Sequence, residues 1–160
     1  MVGYLIYLMG NNSNYFFQAD WVLINKLAVG PVPINKKNLE SLKLLGIKSI
    51  LSLCDEKETT SKINYENDFI HTRIVLPDHK YKNKLTLDKL NEALNQLIDL
   101  SEKGPVFVHC VASVERSPLL CMAFLVRKKS LNPYQALDYL MQVHKGTNPL
   151  SDQFKLLFKL

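Results

Sequence analysis

A cysteine and an arginine lie six positions apart in the segment VHCVASVERSP, residues 108–118. The apolar run at 105–109 follows Gly104 and predicts a strand buried on both faces. An apolar helix is predicted to follow. At such a strand–loop–helix junction, the amides of the loop and of the first helical turn lack backbone partners and face a bound anion. The segment therefore predicts an anion-binding loop, in which Pro118 takes a first-turn position that needs no amide.

Cys110 would lie at the mouth of this loop, where the amides, the helix N-terminus and Arg116 stabilise a thiolate. A thiolate held there can attack phosphorus while the amides bind the equatorial oxygens and the planar fork of Arg116 binds two of them. The alternative is an ordinary buried thiol at a strand end. We therefore predict Cys110 as a nucleophile. The predicted phosphoryl-binding residues are Val111, Ala112, Ser113, Val114, Glu115 and Arg116.

The pattern His-Cys-(x)5-Arg-Ser resembles the signature of cysteine-dependent protein tyrosine phosphatases. The short chain and the sequence HCVASVERSP are most similar to the dual-specificity phosphatases. The resemblance covers residues 21–160, a single catalytic domain after an irregular extension at 1–20. It includes Leu-Pro-Asp at 76–78 and Asn148-Pro149 followed by Phe154. It implies hydrolysis of phosphate monoesters on phosphotyrosine and phosphoserine/threonine of proteins, through a phosphocysteine intermediate.

Two residues of the loop differ from what such phosphatases usually carry. Ser113 stands where the family commonly carries Gly, which tolerates positive φ. A serine with positive φ would cost about 1 kcal/mol, so the substitution bears on rate more than on activity. Glu115 is acidic, whereas relatives that act on inositol phospholipids tend to carry basic residues in this loop.

The reaction also needs an acid for the leaving oxygen, and Asp78 is the candidate. It lies 32 residues before Cys110, just after a predicted strand, and the family's general acid occupies a loop at similar spacing. The alternative is that Asp78 only starts a turn, as Asp after Pro often does. Asp55 and Glu56 fit less well, because they follow a different strand.

The resemblance assigns supporting roles to further residues. Ser117 is expected to donate a hydrogen bond to the sulfur of Cys110 as it leaves, which is compatible with helix N-capping. His109 is expected to hydrogen-bond to the loop and tune the thiolate, and not to act as a general base. Asn148 either orients substrate or water, or forms a helix–helix turn. Cys54, at the end of a neighbouring predicted strand, is either a redox partner of Cys110 or a small core residue.

Other functions remain open at this point. A phosphatase of a phosphoinositide, a glucan or an RNA 5′ phosphate would use the same loop, although Glu115 argues against a highly charged inositol head group. A non-catalytic phospho-binding module would be expected to lack Cys110, Arg116 or Asp78, and all three are present. No CxxC motif, histidine pair at metal spacing or GKT/S loop supports a metal or nucleotide cofactor, so none is predicted.

The elements that would position these residues alternate between strand and helix. Strands are predicted within 21–30, 47–54, 69–76 and 105–109. Helices are predicted from Asn35 or Asn38 to Gly46, from Thr86 to about 103, and over 117–130, 132–145 and 151–160, the last capped by Ser151. This alternation predicts an α/β fold, a three-layer sandwich with a central, mostly parallel sheet flanked by helices.

Composition sets the broad class of the protein. The chain has 160 residues, 47% hydrophobic and 22% charged, which excludes a disordered chain or a fibrous repeat. A net charge of +5 favours an anionic partner without identifying one, and no nucleic acid partner is expected. Three cysteines indicate a reducing compartment, the cytoplasm. The apolar run at 1–10 is too short to span a bilayer. Oligomeric state is left open.

Overall fold

The computed structural model describes residues 17–60, 62–80 and 82–160, and the predicted extension at 1–20 lies mostly outside this part of the chain. A five-stranded sheet forms the centre of the described fold, in the order β1-β2-β5-β3-β4. The strands are β1 (Asp20–Leu23), β2 (Leu27–Gly30), β3 (Ser49–Ser52), β4 (Ile70–Arg73) and β5 (Val106–His109). Within this sheet only the β1–β2 pair is antiparallel, so the prediction of a mostly parallel sheet is confirmed.

Five α-helices flank the sheet in the described residues. They are α1 (Lys36–Leu44), α2 (Leu87–Glu102), α3 (Arg116–Lys129), α4 (Pro133–Val143) and α5 (Ser151–Phe154). Asn35, Thr86 and Asn132 each cap a helix start, since their side chains accept a hydrogen bond from an amide of the first turn. Among these helices, none is both long and apolar enough to cross a membrane.

The strands alternate their side chains between two separate cores. Val108 and its counterparts in β2 and β3, Val29 and Leu51, face α2, α3 and α4. Phe107 faces the opposite side, where it packs with Leu42 of α1. Because successive side chains of a strand point to opposite faces, one apolar run fills both cores. The three-layer α/β prediction is therefore confirmed.

Several predicted boundaries were wrong. Ser151 is the first residue of α5 and not its cap, because the cap position belongs to Leu150, which has no side-chain acceptor. The predicted 151–160 helix is α-helical only to Phe154 and continues as a 3-10 helix, Lys155–Lys159. The fourth strand is shorter than predicted because ladder pairing with β3 covers Ile70–Arg73 alone.

The topology puts the key cysteine at the middle of the sheet. β5 lies between β2 and β3 and is parallel to both. Its carboxyl end therefore opens into the crevice where open α/β sheets bind ligands. Cys110 is the residue that follows this end, and α3 begins six residues later at Arg116.

Candidate active site

The loop from Cys110 to Arg116 is held in place from its outer side. The carbonyl of Val111 accepts a hydrogen bond from the amide of Val32, and the carbonyl of Val114 accepts one from the amide of Asn148. The carbonyl of Ser113 lies 2.7 Å from Nε2 of His144. With these carbonyls turned outward, none of the amides of 111–116 has a backbone acceptor among the described residues. This is the concave nest of donors that favours an anion.

Cys110 lies at the floor of the loop, with 3% of its surface exposed. Its Sγ is 3.3 Å from Oγ of Ser117, the fully buried second residue of α3. A hydroxyl at this distance is able to donate to a thiolate, and the role expected of Ser117 stays a prediction. The sulfur has this hydroxyl on one side and the open cleft on the other.

His109 is buried directly beneath the loop. Its Nδ1 donates to the carbonyl of Cys110 over 2.9 Å, since a carbonyl only accepts. Its Nε2 is 2.7 Å from Oγ of Ser52, which is 2.9 Å from Nε2 of His71. Burial lowers the pKa of His109 to about 3, although its bond to the Cys110 carbonyl opposes the shift. A neutral ring that positions the loop fits the prediction that His109 is not a general base.

Arg116 is fixed by a partner that the sequence did not reveal, Glu58. The two terminal nitrogens of the guanidinium form a bidentate pair with this carboxylate, with Nη1–Oε1 at 3.0 Å and Nη2–Oε2 at 2.7 Å. Nη1 also donates to the carbonyl of Leu76 at 3.2 Å. Burial opposes the charge of Arg116, but the hydrogen bonds to Glu58 and the charges of Cys110, Glu58 and Asp78 raise its pKa. The guanidinium is thus protonated and held in one orientation by these three hydrogen bonds.

Asp78 lies on the opposite wall, with Oδ2 at 3.2 Å from Nη2 of Arg116. Its Oδ1 accepts from the amide of Lys80, so the predicted turn also forms. The carboxylate of Asp78 thus contacts Arg116 where an oxygen of a bound anion would otherwise lie. A bound phosphoryl group would compete for the same nitrogen.

A polar group lines the mouth of the cleft beside Asp78. Nδ1 of His79 lies 3.2 Å from Asp78 and 3.0 Å from Glu115. Ligand atoms of these three residues lie within 4.8 Å of one another, an arrangement able to approach a cation. Arg116 contacts the same Asp78 carboxylate and opposes a cation there, so we interpret the group as a cluster of side-chain contacts and not as a metal site.

Ser113 adopts the backbone conformation that the family's glycine would favour. Its φ is +58°, in the left-handed region, and its side chain is buried. The hydroxyl faces away from the cleft, 3.2 Å from Oγ of Ser117 and 3.1 Å from Nε2 of His144. Nδ1 of His144 is in turn 2.7 Å from Oδ2 of Asp20. The steric penalty predicted for Ser113 is therefore present, and hydrogen bonds offset part of it.

The cleft above the loop has a volume of about 960 Å³. Most of the predicted loop residues line it, with Cys110 and Arg116 at the bottom. Asn148 is exposed and lies outside the lining, and the contact it makes with the loop is its amide bond to Val114. Cys54 is buried beyond the end of β3, close enough to Cys110 for the two groups to interact electrostatically.

Three contributors were missed by sequence reasoning. Glu58 forms a capping box with Asp55, a D-x-x-E spacing that could have indicated a fixed carboxylate. Nothing in the spacing indicates its pairing with Arg116, 58 positions away. Asp20 and His144 are 124 positions apart, and only the folded sheet brings them together.

Known proteins resemble this chain in sequence and in fold. Residues 33–160 match the family model described as the catalytic domain of dual specificity phosphatases. Dual specificity protein phosphatase 9 of Homo sapiens is 32% identical over 114 residues, which cover 70% of this chain and 28% of that protein. The chain thus spans well under a third of the length of this curated relative.

Solved structures share the fold at lower identity. A human tyrosine phosphatase-like serine/threonine/tyrosine-interacting protein superposes with a TM-score of 0.76 and 21% identity, covering 88% of this chain and 93% of that one. PTPMT1 in complex with PI(5)P superposes with a TM-score of 0.72 and 16% identity, covering 84% of this chain and 88% of that one. At these identities the likeness concerns the fold alone.

Proposed function

The chain belongs to the dual specificity phosphatase catalytic domain family, and on that premise we propose that it hydrolyses phosphate monoesters of proteins through a phosphocysteine intermediate. One observation carries this proposal. Cys110, the free amides of 111–116 and the fixed guanidinium of Arg116 surround one position at the floor of the cleft. That arrangement binds a phosphoryl group and places a sulfur nucleophile against it.

In the proposed first step, the Cys110 thiolate attacks phosphorus in line with the bond to the leaving oxygen. The loop amides and Arg116 hold the equatorial oxygens as charge builds on them. The phosphoryl group displaces Asp78 from Nη2 of Arg116, from which it is now 3.2 Å distant. The displaced Asp78, in its protonated form, gives its proton to the leaving oxygen.

In the second step, Asp78 acts as the base. It takes a proton from a water molecule that attacks the phosphocysteine, and the phosphorus–sulfur bond breaks. The departing sulfur becomes a thiolate again, and the Ser117 hydroxyl, 3.3 Å away, stabilises it by a hydrogen bond. Inorganic phosphate then leaves the loop, and no metal or organic cofactor takes part in this scheme.

The charges of the cleft favour a protein monoester over a phosphoinositide. Arg116 is balanced by Glu58 and Asp78, while Glu115 faces His79. A second phosphate on an inositol ring would therefore meet carboxylates close to the loop, although Lys80 and Lys145 also line the cleft. The cleft volume of 960 Å³ is at the upper end of the usual range of about 300–1,000 Å³ for ligand sites. It has room for a phosphorylated side chain together with flanking peptide.

The rival in another class is a phospho-binding module without catalysis, and one structural neighbour is itself named an interacting protein. In this chain Cys110, Arg116 and Asp78 are all present and share one cleft, which supports catalysis. The three cysteines are all unpaired thiols, which supports the cytoplasm as our proposed location.

The deciding experiment is a substrate panel. The chain is assayed first on an aryl phosphate, then on matched phosphotyrosine, phosphoserine and phosphothreonine peptides, phosphoinositide vesicles, phosphorylated glucan and RNA with a 5′ phosphate. We expect turnover of the aryl phosphate and a higher kcat/KM for phosphopeptides than for the other substrates. Binding of phosphopeptide with no turnover of any substrate would instead support the binding module, and preference for vesicles would support the lipid alternative.

A further inference from the structure

A continuous line of hydrogen bonds connects the edge strand to the nucleophile. It runs from Asp20 on β1 to His144 after α4, then to Ser113 in the loop, Ser117 on α3 and Cys110. Each step is between 2.7 and 3.3 Å. His144, Ser113 and Ser117 are all buried, while Asp20 at the far end of the line is partly exposed.

The direction of the bonds can be worked out from what each atom is able to do. Nε2 of His144 lies 2.7 Å from the carbonyl oxygen of Ser113, which only accepts, so Nε2 carries a proton. Nδ1 lies 2.7 Å from the carboxylate of Asp20, which also only accepts, so Nδ1 carries one as well. The ring is therefore an imidazolium whose charge is balanced by Asp20.

A doubly protonated His144 makes the Ser113 hydroxyl an acceptor toward the ring and leaves the Ser113 proton available to Ser117. At 3.1 Å from Nε2, the Ser113 oxygen can only accept from that ring, so its own proton is free to point at Ser117 Oγ, 3.2 Å away. Ser117 then accepts from Ser113 and directs its own proton to the sulfur of Cys110. An arrangement in which every hydroxyl proton of the line points toward the sulfur of Cys110 therefore satisfies each of these contacts.

The direction of the Ser117 proton needs to be fixed because residue 113 is a serine. A glycine at this position could not compete for the Ser117 proton, whereas the serine hydroxyl lies slightly closer to Ser117 Oγ than the sulfur does, at 3.2 Å against 3.3 Å. If Ser113 accepted from Ser117, the sulfur would lose its donor. The same serine also holds a φ of +58°, which its bonds to His144 help to maintain.

We propose that Asp20 and His144 are positioning residues that fix the Ser113 hydroxyl as a donor, and so make Ser117 donate to the leaving sulfur of Cys110. This inference rests on the phosphocysteine mechanism proposed above. It concerns the second step, in which the sulfur departs, more than the first. Loss of the pair should slow hydrolysis of the phosphocysteine and let that intermediate accumulate.

The test compares variants on para-nitrophenyl phosphate by rapid mixing and acid quench. His144→Ala should lower the steady-state kcat by roughly tenfold or more, the value of one hydrogen bond to a charged group. The first turnover should change far less, so a burst of nitrophenolate appears and the fraction of chain trapped as phosphocysteine rises. Asp20→Asn, a milder change at a half-buried site, should shift the trapped fraction in the same direction.

Two further variants separate positioning from folding. Adding Ser113→Gly to His144→Ala removes the competing hydroxyl, so the trapped fraction should return toward that of Ser113→Gly alone. Tyr139→Phe is the matched control, because the Tyr139 hydroxyl also joins α4 to β1, at the carbonyl of Val22, without touching the loop. It should leave the partition between the two steps unchanged.

Three results would overturn the proposal. One is an unchanged trapped fraction in both His144→Ala and Asp20→Asn, and another is a trapped fraction that Ser113→Gly does not restore. The third is a change confined to KM, which would make the pair a substrate contact. If the unaltered chain itself turns over no aryl phosphate, the proposed function fails and the relay fails with it, a result distinct from the other three.

Discussion

The floor and the mouth of the cleft are built in different ways. The floor consists of Cys110, Ser113, Arg116 and Ser117, which are buried, and the loop carbonyls around them are bonded to segments from several parts of the chain. The mouth, formed by Asp78, His79 and Glu115, is partly exposed and held by contacts between these side chains. In the proposed mechanism the floor keeps one geometry in both chemical steps, whereas Asp78 leaves Arg116 before it acts on substrate. Rigidity is therefore concentrated where binding occurs, and freedom where proton transfer occurs.

The largest effect is expected from replacing Cys110, the proposed nucleophile in the floor. Cys110→Ser should abolish turnover, because a hydroxyl in place of the thiolate is a far weaker nucleophile at neutral pH. Binding of phosphate or vanadate should persist, since amides and Arg116 make most of the contacts with the anion. Turnover is measured on an aryl phosphate and binding by calorimetry. Activity above roughly one per cent of the unaltered chain would contradict the assignment.

The next largest effect on turnover is expected from replacing Asp78 in the mouth. Asp78→Asn should slow phosphopeptide hydrolysis by about 10²–10⁴-fold, the usual contribution of a general acid. The loss should be smaller for an aryl phosphate, whose leaving group needs less protonation. A general acid works only when protonated, so activity falls as pH rises past its titration, and this basic limb should flatten in the variant.

Glu115→Gln is the matched comparison for Asp78, since it removes a second carboxylate that contacts His79. Its pH–rate profile should keep the basic limb. If the basic limb vanished in Glu115→Gln and survived in Asp78→Asn, the general acid would be Glu115 and not Asp78.

The difference between floor and mouth also explains how much the sequence could predict. The strand, the loop and the start of α3 are contiguous, so local patterns were enough to place Cys110, Arg116 and Ser117 together. Asp78 was predicted as a site residue from its resemblance to a family motif, but its contact with Arg116 is visible only in the folded structure. The partners Glu58 and His144 come from segments far along the chain, where no periodicity or spacing records the contact.

A smaller effect tests whether the rigidity of the floor depends on that unpredicted partner. Glu58→Gln keeps the shape of the side chain but removes the charge paired with Arg116, at 2.7 Å from Nη2. We expect kcat/KM to fall by about tenfold or more, because a buried charge pair loses one partner and the fork loses its orientation. Phosphate affinity, measured as competitive inhibition, should weaken in parallel.

The control for Glu58 is Glu92→Gln, which breaks an exposed ion pair with Lys89 at a distance of 2.8 Å. Exposed pairs contribute about 0–1 kcal/mol to folding stability. Neither Lys89 nor Glu92 lines the cleft, so kcat/KM should stay close to that of the unaltered chain. Equal losses in the two variants would mean that charge removal alone, and not the fork of Arg116, accounts for the Glu58 result.

The smallest effect under reducing conditions concerns Cys54, which lies beneath the floor. The amide of Leu53 donates to the carbonyl of His109 over 2.8 Å. Continuing the register of β3 and β5 therefore puts Leu53 beside Cys110 and Cys54 beside Val111. Burial raises the pKa of Cys54 to about 11, although Arg116 opposes the shift, so this thiol is protonated and reacts slowly.

Oxidation tests whether that neighbouring thiol protects the floor. Peroxide would oxidise the Cys110 thiolate to a sulfenic acid, and the Cys54 thiol could condense with it to a disulfide and water. We expect the chain to regain activity with reductant after dilute peroxide, and Cys54→Ser to lose it irreversibly. Cys121→Ser, which removes a thiol buried in α3, should recover like the unaltered chain. Full recovery of Cys54→Ser would mean that Cys54 is only a core residue. If Cys121→Ser failed to recover instead, the protective thiol would be Cys121 of α3.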